Sequence, residues 1–210
     1  MRGVYLVTDR ALCGGRPLDE IVRQAVSGGV AYVQLREKDF STRFFVEEAK
    51  AIQKILKPYQ VPLIINDRID VALACGAQGV HIGQDDMPYA CARKLMGKNA
   101  IIGLSVETWK DVEASEKLDV SYIGVSPVFA TPTKTDTKEP WGLEGLKKIK
   151  AFSRHPLVAI GGVNESNAAD VIKAGADCLA VVSAICAAAN SETAARKLNA
   201  IINTALLKRK

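Results

Sequence analysis

Eight short apolar runs, separated by segments of helical periodicity, recur along the chain from one end to the other. The runs are VYLVTD (4–9), AYVQLRE (31–37), PLIIND (62–67), GVHIG (79–83), AIIGLSV (100–106), SYIGVSPVF (121–129), LVAIGG (157–162) and CLAVVSAI (178–185). Between them lie stretches such as LDEIVRQAVSGG, whose Leu18, Ile21, Val22, Ala25 and Val26 recur at the spacing of one helix face. SNAADVIKAGA shows the same period and follows the capping-type residues Asn164 and Ser166. Three joints, SGGVAYVQL, ACGAQGVHI and KAGADCLAV, share one grammar: a helix end, a glycine suited to a left-handed cap, then the next strand. Runs as continuously apolar as LIIN and LAVV must be covered on both faces, which is the condition of a parallel sheet. Eight strand–helix units in 210 residues fit one compact α/β domain, a single (β/α)8 TIM barrel spanning 1–210. An open doubly wound sheet competes with it, but the first turn, TDRALCGG, is not the GxGxxG expected there.

Composition narrows the functional classes. No linker-like stretch divides the chain, and 48% hydrophobic with 24% charged residues suits one sizeable core. The stretch MRGVYLVTDR meets charge at Asp9 too soon for a signal peptide. The longest apolar stretch, CLAVVSAICAAA, falls short of the roughly 18–20 residues of a membrane span, so no membrane role is expected. Five cysteines form no CxxC pair, which argues against a disulfide framework or zinc site and for free thiols in a reducing cytoplasm. The net charge is +5, but the basic residues are scattered and aromatics are 6%, which is no nucleic-acid surface. That charge is compatible with anionic small molecules. The last helical segment, TAARKLNAIINTALL, is apolar enough to pack on the barrel or on a second copy in a homo-oligomer.

In a barrel of this kind chemistry gathers where strands end. Gln34, Arg36 and Lys38 share one face at the end of the second run, with Leu35 and Glu37 on the other. The third run ends in Asn66–Asp67, the fourth in HIGQDD with Asp85 and Asp86, and the fifth in Ser105. The sixth leads into TPTK (131–134), the seventh ends in Gly161–Gly162 and the eighth carries Val182–Ser183. Asp67 and Asp86 offer hard oxygens from neighbouring strands, the usual way to hold Mg2+ against substrate phosphates. Spacing does not separate Asp86 from Asp85 as the ligand, and Asp67 has an alternative role as a cap of the helix DRIDVALACGA. Arg36, Lys38 and Lys134 can neutralise a polyanion, Arg36 through paired bonds. The glycines at 161 and 162 suit a second, metal-free phosphate site between the seventh and eighth strands, on backbone N–H groups and a helix N-terminus. His81 reads equally as a rim residue and as a satisfied core residue; His155, before Pro156, reads as structural. No Ser-His-Asp or Cys-His arrangement can be assembled on the rim.

Taken in order, QLREK (34–38), IND (65–67), HIGQDD (81–86), GLS (103–105), TPTK (131–134), WGLEGL (141–146), IGG (160–162) and VVSAI (181–185) resemble the thiamine phosphate synthase family. The resemblance covers nearly the whole chain. It implies a transferase that joins 4-amino-2-methyl-5-hydroxymethylpyrimidine diphosphate to hydroxyethylthiazole phosphate with loss of pyrophosphate. It further implies that Gln34, Leu35, Arg36, Glu37, Lys38 and Asn66 meet the pyrimidine diphosphate and that Asp67 and Asp86 bind Mg2+. Ser105 would contact the pyrimidine and Lys134 the pyrophosphate. Thr131, Pro132 and Thr133, with Gly162, Val182 and Ser183, would hold the thiazole phosphate. Arg36, Lys38, Ser105 and Lys134 would carry the catalytic step, in which the thiazole nitrogen captures a benzyl-like pyrimidine cation. The polar segment ATPTKTDTKEPWG (130–142) is expected to close as a flap over the substrates. Two rivals stand beside this reading: a thiazole tautomerase-like isomerase on the same barrel, and a non-catalytic phosphate-ligand binder. Glu107 stands where many relatives have a histidine, which weighs against the tautomerase, since that activity shuttles protons through a histidine.

Overall fold

A computed structural model describes residues 1–131 and 138–209. Eight parallel strands close into a barrel in chain order. They are β1 (Gly3–Val7), β2 (Tyr32–Leu35), β3 (Leu63–Asn66), β4 (Gly79–Ile82), β5 (Ile101–Val106), β6 (Tyr122–Val125), β7 (Leu157–Ala159) and β8 (Cys178–Val181), with β8 pairing back onto β1. The helices around them are α1 (Leu18–Ser27), α2 (Thr42–Leu56), α3 (Ile69–Cys75), α4 (Tyr89–Met96), α5 (Trp109–Ser115), α6 (Gly142–Phe152), α7 (Ala168–Lys173), α8 (Ser183–Cys186) and α9 (Ser191–Lys208).

The elements follow from the patterns. β3, β6 and β8 are buried along their whole length, as strands covered on both faces must be. α1 buries Leu18, Ile21, Val22, Ala25 and Val26, the five residues its period singled out. At the three joints Gly29, Gly76 and Gly175 all take positive φ, so the shared grammar is a shared backbone conformation. Strand alternation then divides the core in two. Outward residues such as Val33, Leu35, Ile65, Ile102 and Ile123 pack beneath the helices. Inward residues, including Tyr5, Val7, Ile64, Tyr122, Val158 and Ala180, fill the barrel itself.

Several strands end short of the runs that predicted them, by three residues in the seventh and by four in the sixth and eighth. The second strand stops at Leu35, because the Arg36 N–H leaves the ladder and donates to Thr8 Oγ1 at 3.0 Å. The sixth stops at Val125, two residues before Pro127, whose nitrogen carries no hydrogen for a ladder bond. The eighth stops at Val181, and its expected tail, from Ser183, turns into α8. α9 lays Ala194, Ala195, Leu198, Ile202 and Ala205 against the body of the molecule, beside α1 and α7. Among the described residues no helix is long and apolar enough to cross a membrane.

Candidate active site

The C-terminal ends of β2, β3, β4 and β5 bring one polar cluster together. Gln34 turns inward and donates through Nε2 to the Tyr5 hydroxyl at 2.9 Å. Arg36 lies at the rim with Nη1 3.5 Å from Asp9 Oδ2, while Asp9 also caps the following turn by accepting from the Ala11 N–H. Lys38 Nζ donates to Asp67 Oδ2 at 2.6 Å, which joins the β2 and β3 ends directly. Asn66, the last residue of β3, is buried beside them.

Leu35 and Glu37 point the other way, as the alternation requires. Leu35 is 0% exposed within the outer core. Glu37 is held by Arg10, whose Nη2 sits 2.8 Å from Glu37 Oε1 and 3.0 Å from Glu48 Oε1. Neither side chain reaches the cluster, so these two positions offer a ligand only their backbone. The Arg10 bridge anchors the loop that carries Arg36 and Lys38 to α2.

The carboxylates are separated by the fold where spacing left them open. Asp67 adopts a left-handed φ of 61°, rare for a residue with a side chain, and donates its N–H to the His81 carbonyl at 2.8 Å. That turn commits its carboxylate to Lys38; α3 begins with no side-chain cap, so Asp67 does not cap it. Asp86 folds back so that Oδ2 accepts the Gly83 N–H at 2.7 Å. Burial, with the neighbouring Asp67 carboxylate, raises the Asp86 carboxyl above the ordinary range, while the Gly83 N–H pulls it down. Asp85 is exposed and lies outside this contact. Two adjacent, partly desolvated carboxylates backed by one lysine fit a hard divalent cation. No third His, Cys, Asp or Glu joins them among the described residues, so a divalent cation held here would take its remaining ligands from other oxygens.

His81 belongs to the interior of the barrel. Its Nδ1 lies 2.9 Å from the Tyr122 hydroxyl and its Nε2 2.9 Å from Ser105 Oγ. Ser105 is half-buried at the inner face of β5, and its carbonyl accepts from Gln84 Nε2 at 2.6 Å. His155 lies elsewhere, with Nε2 3.0 Å from the Ser115 carbonyl at the opposite end of the barrel.

The second expected cradle is shaped by close backbone contact. Gly161 and Gly162 have φ of 97° and 65°. The chain after β6 runs against them, with the Phe129 N–H donating to the Gly161 carbonyl at 3.0 Å. A Cβ at Gly161 would stand 2.7 Å from Pro127 Cβ. Gly161→Ala is therefore expected to destabilise the fold by about 2 kcal/mol, through strained φ and overpacking. An unchanged urea midpoint would contradict this. Val182 and exposed Ser183 follow β8 on the same rim. Thr131 is the last described residue before the segment 132–137; Pro132, Thr133 and Lys134, with 135–137 of the expected flap, lie outside the described residues.

Tyr5, Tyr122, Thr8 and Asp9 were not among the expected site residues. A tyrosine inside VYLV or SYIGV reads as an ordinary strand former. The available signal was the glycine pair facing it: a Cβ at Gly103 would lie 2.0 Å from Tyr122 Cζ, and one at Gly124 3.0 Å from His81 Cε1.

A closed eight-stranded parallel barrel, with paired carboxylates and rim cations at the C-terminal strand ends, is the architecture of a (β/α)8-barrel enzyme. The family model for thiamine monophosphate synthase matches residues 4–185. A thiamine-phosphate synthase of Albidiferax ferrireducens is 57% identical over 200 residues, covering 95% of this chain and 91% of its own. One from Syntrophomonas wolfei is 50% identical over 198 residues, covering 94% and 95%. The solved thiamine phosphate pyrophosphorylase of Pyrococcus furiosus superposes with a TM-score of 0.88 at 38% identity, covering 97% of this chain and 96% of that one. This chain belongs to the thiamine monophosphate synthase family.

Proposed function

We propose that the chain is a thiamine-phosphate synthase, joining the pyrimidine diphosphate to the thiazole phosphate and releasing pyrophosphate. One observation carries this reading: a member of that family, matched over nearly its whole length, sets Lys38, Asp67 and Asp86 in contact at one rim. The C–O bond between the pyrimidine methylene and the diphosphate breaks, and its electron pair leaves with pyrophosphate. The thiazole nitrogen lone pair then forms the new C–N bond, giving the thiazolium of thiamine phosphate without proton transfer at that nitrogen. Such a reaction needs little acid–base help. It needs the leaving charge stabilised and the nucleophile aligned.

The residues divide that work. Arg36 and Lys38 face the departing pyrophosphate, and Asn66 orients the diphosphate. Asp67 and Asp86 would hold Mg2+, which when bound neutralises charge on the leaving group. Ser105 and Gln34 meet the pyrimidine ring from β5 and β2. Gly162, Val182 and Ser183 take the thiazole phosphate together with Thr131; the roles expected of Pro132 and Thr133 toward that phosphate and of Lys134 toward pyrophosphate fall on residues outside those described. The substrates are small and soluble, and the five cysteines are free thiols, in keeping with a reducing cytoplasm.

A direct assay tests the reading. Incubated with both phosphorylated precursors and Mg2+, the protein should release thiamine phosphate and pyrophosphate in equal amounts, and omitting either precursor should abolish both. No product from a demonstrably folded sample would contradict it.

A further inference from the structure

Five side chains form one continuous hydrogen-bonded chain across the inside of the barrel. It runs from Gln34 on β2 to Tyr5 on β1, across to Tyr122 on β6, then to His81 on β4 and Ser105 on β5. Every link is 2.9 Å. Tyr5 and Tyr122 are buried, their rings meet edge-on at 5.9 Å, and the His81 ring stacks on Tyr122 at 5.5 Å. Burial pushes both phenols well above their ordinary range, so each remains a neutral hydroxyl with one hydrogen to give.

That single hydrogen sets a direction. Gln34 Nε2 can only donate, so the Tyr5 oxygen accepts from it. Tyr5 has one hydrogen of its own and Tyr122 as its other partner; accepting from Tyr122 as well would leave that hydrogen unpaired in the core, at a cost of about 1–3 kcal/mol. The same reasoning moves the Tyr122 hydrogen onto His81 Nδ1. A neutral imidazole that accepts at Nδ1 carries its proton on Nε2, where it faces Ser105 Oγ. Ser105 therefore spends an acceptor lone pair on His81 and keeps its own O–H for a ligand.

We infer that Tyr5, Tyr122 and His81 are positioning residues that fix the Ser105 hydroxyl as a donor toward the substrate, so that the site selects a ring presenting a nitrogen acceptor at that point. The inference rests on the proposed function, in which Ser105 meets the pyrimidine. It explains why Tyr5, Tyr122 and His81 are hydrogen-bonded to one another inside a barrel whose other inward residues, among them Val7, Ile64, Val158 and Ala180, are mostly apolar. It also explains the vacated space at Gly103 and Gly124, which admits the two rings. With Tyr122→Phe, Nδ1 loses its donor and the imidazole can move its proton there. Ser105 can then donate to Nε2 and offer the substrate only a lone pair.

Two readouts test this. Imidazole 15N spectra near pH 8.5 report the tautomer of His81, with His155, the other of the two histidines, as internal reference. The wild type should show the Nε2–H form alone, and Tyr122→Phe a mixture of tautomers. Calorimetry on the pyrimidine diphosphate, and on analogues with each ring nitrogen in turn replaced by C–H, reports the consequence. Wild type should bind one analogue about tenfold more weakly than the parent, the value of one buried hydrogen bond. Tyr122→Phe, checked for a wild-type melting profile, should lose most of that gap, and Tyr5→Phe, one link further away, less of it. A wild-type Nδ1–H tautomer, or equal discrimination in wild type and Tyr122→Phe, would overturn the inference. The binding readout separates it from the proposed function, since discrimination without product would defeat the synthase reading and leave the relay standing.

Discussion

Asp67→Asn is expected to lower turnover roughly a thousandfold while leaving the barrel folded. The substitution keeps the size and shape of the side chain and removes one of the two negative charges that face each other at the β3 and β4 ends. Stabilisation of a departing pyrophosphate by a bound metal is worth several kcal/mol, and each 1.36 kcal/mol is a factor of ten in rate. The fold is expected to survive because the turn is held by backbone: Asp67 N–H to the His81 carbonyl at 2.8 Å and Arg68 N–H to the Asn66 carbonyl at 2.7 Å. Asparagine also tolerates the left-handed φ of this position better than most residues. The half-saturating Mg2+ concentration should rise together with the loss of rate. An unchanged Mg2+ titration would remove Asp67 from the metal. Loss of the circular dichroism of the barrel would make its role structural instead.

The second large effect is expected at Arg36. Arg36→Ala should reduce kcat/KM for the pyrimidine diphosphate about a hundredfold and leave the KM for the thiazole phosphate nearly unchanged. A guanidinium offers two parallel charged bonds to phosphate oxygens, each worth about 1.5–3 kcal/mol when the partner is ionised. Asp9 holds that guanidinium at 3.5 Å, and the Thr8 hydroxyl fixes the backbone beneath it, so the group is aimed before substrate arrives. Arg36→Lys should recover only part of the loss, because an ammonium cannot make the paired contact. Stability should change little, since the Arg36–Asp9 pair is partly solvated and such pairs contribute about 0–1 kcal/mol. Equal losses for the two substrates would place Arg36 away from the diphosphate.

The strand-end residues were legible for a simple reason: alternation in β2 dictates that Gln34 turns opposite to Leu35, whatever the rest of the chain does. The same rule set Leu35 and Glu37 on the outer face, where the barrel buries one and Arg10 holds the other. Helix faces and left-handed glycine joints were equally legible, because periodicity and positive φ are local properties. Contacts across the barrel were not. Tyr5 and Tyr122 are 117 residues apart, and nothing local in VYLV or SYIGV marks either ring as polar. The choice between Asp85 and Asp86 was closed to spacing as well. The backbone turn that returns Asp86 to the Gly83 N–H sets it beside Asp67 and leaves Asp85 in solvent. The ends of β6 and β8 were overrun because Val128, Phe129 and Ile185 are as apolar as strand residues, although Pro127 and Ser183 redirect the chain.

The most direct measurement is a crystal structure of the protein with Mg2+ and pyrophosphate bound. Metal on carboxylate oxygens of both Asp67 and Asp86, with pyrophosphate completing its coordination and reaching Arg36 and Lys38, is the expected result. Metal bound away from that pair, or pyrophosphate lodged out of reach of Arg36, would contradict the assignment of the site.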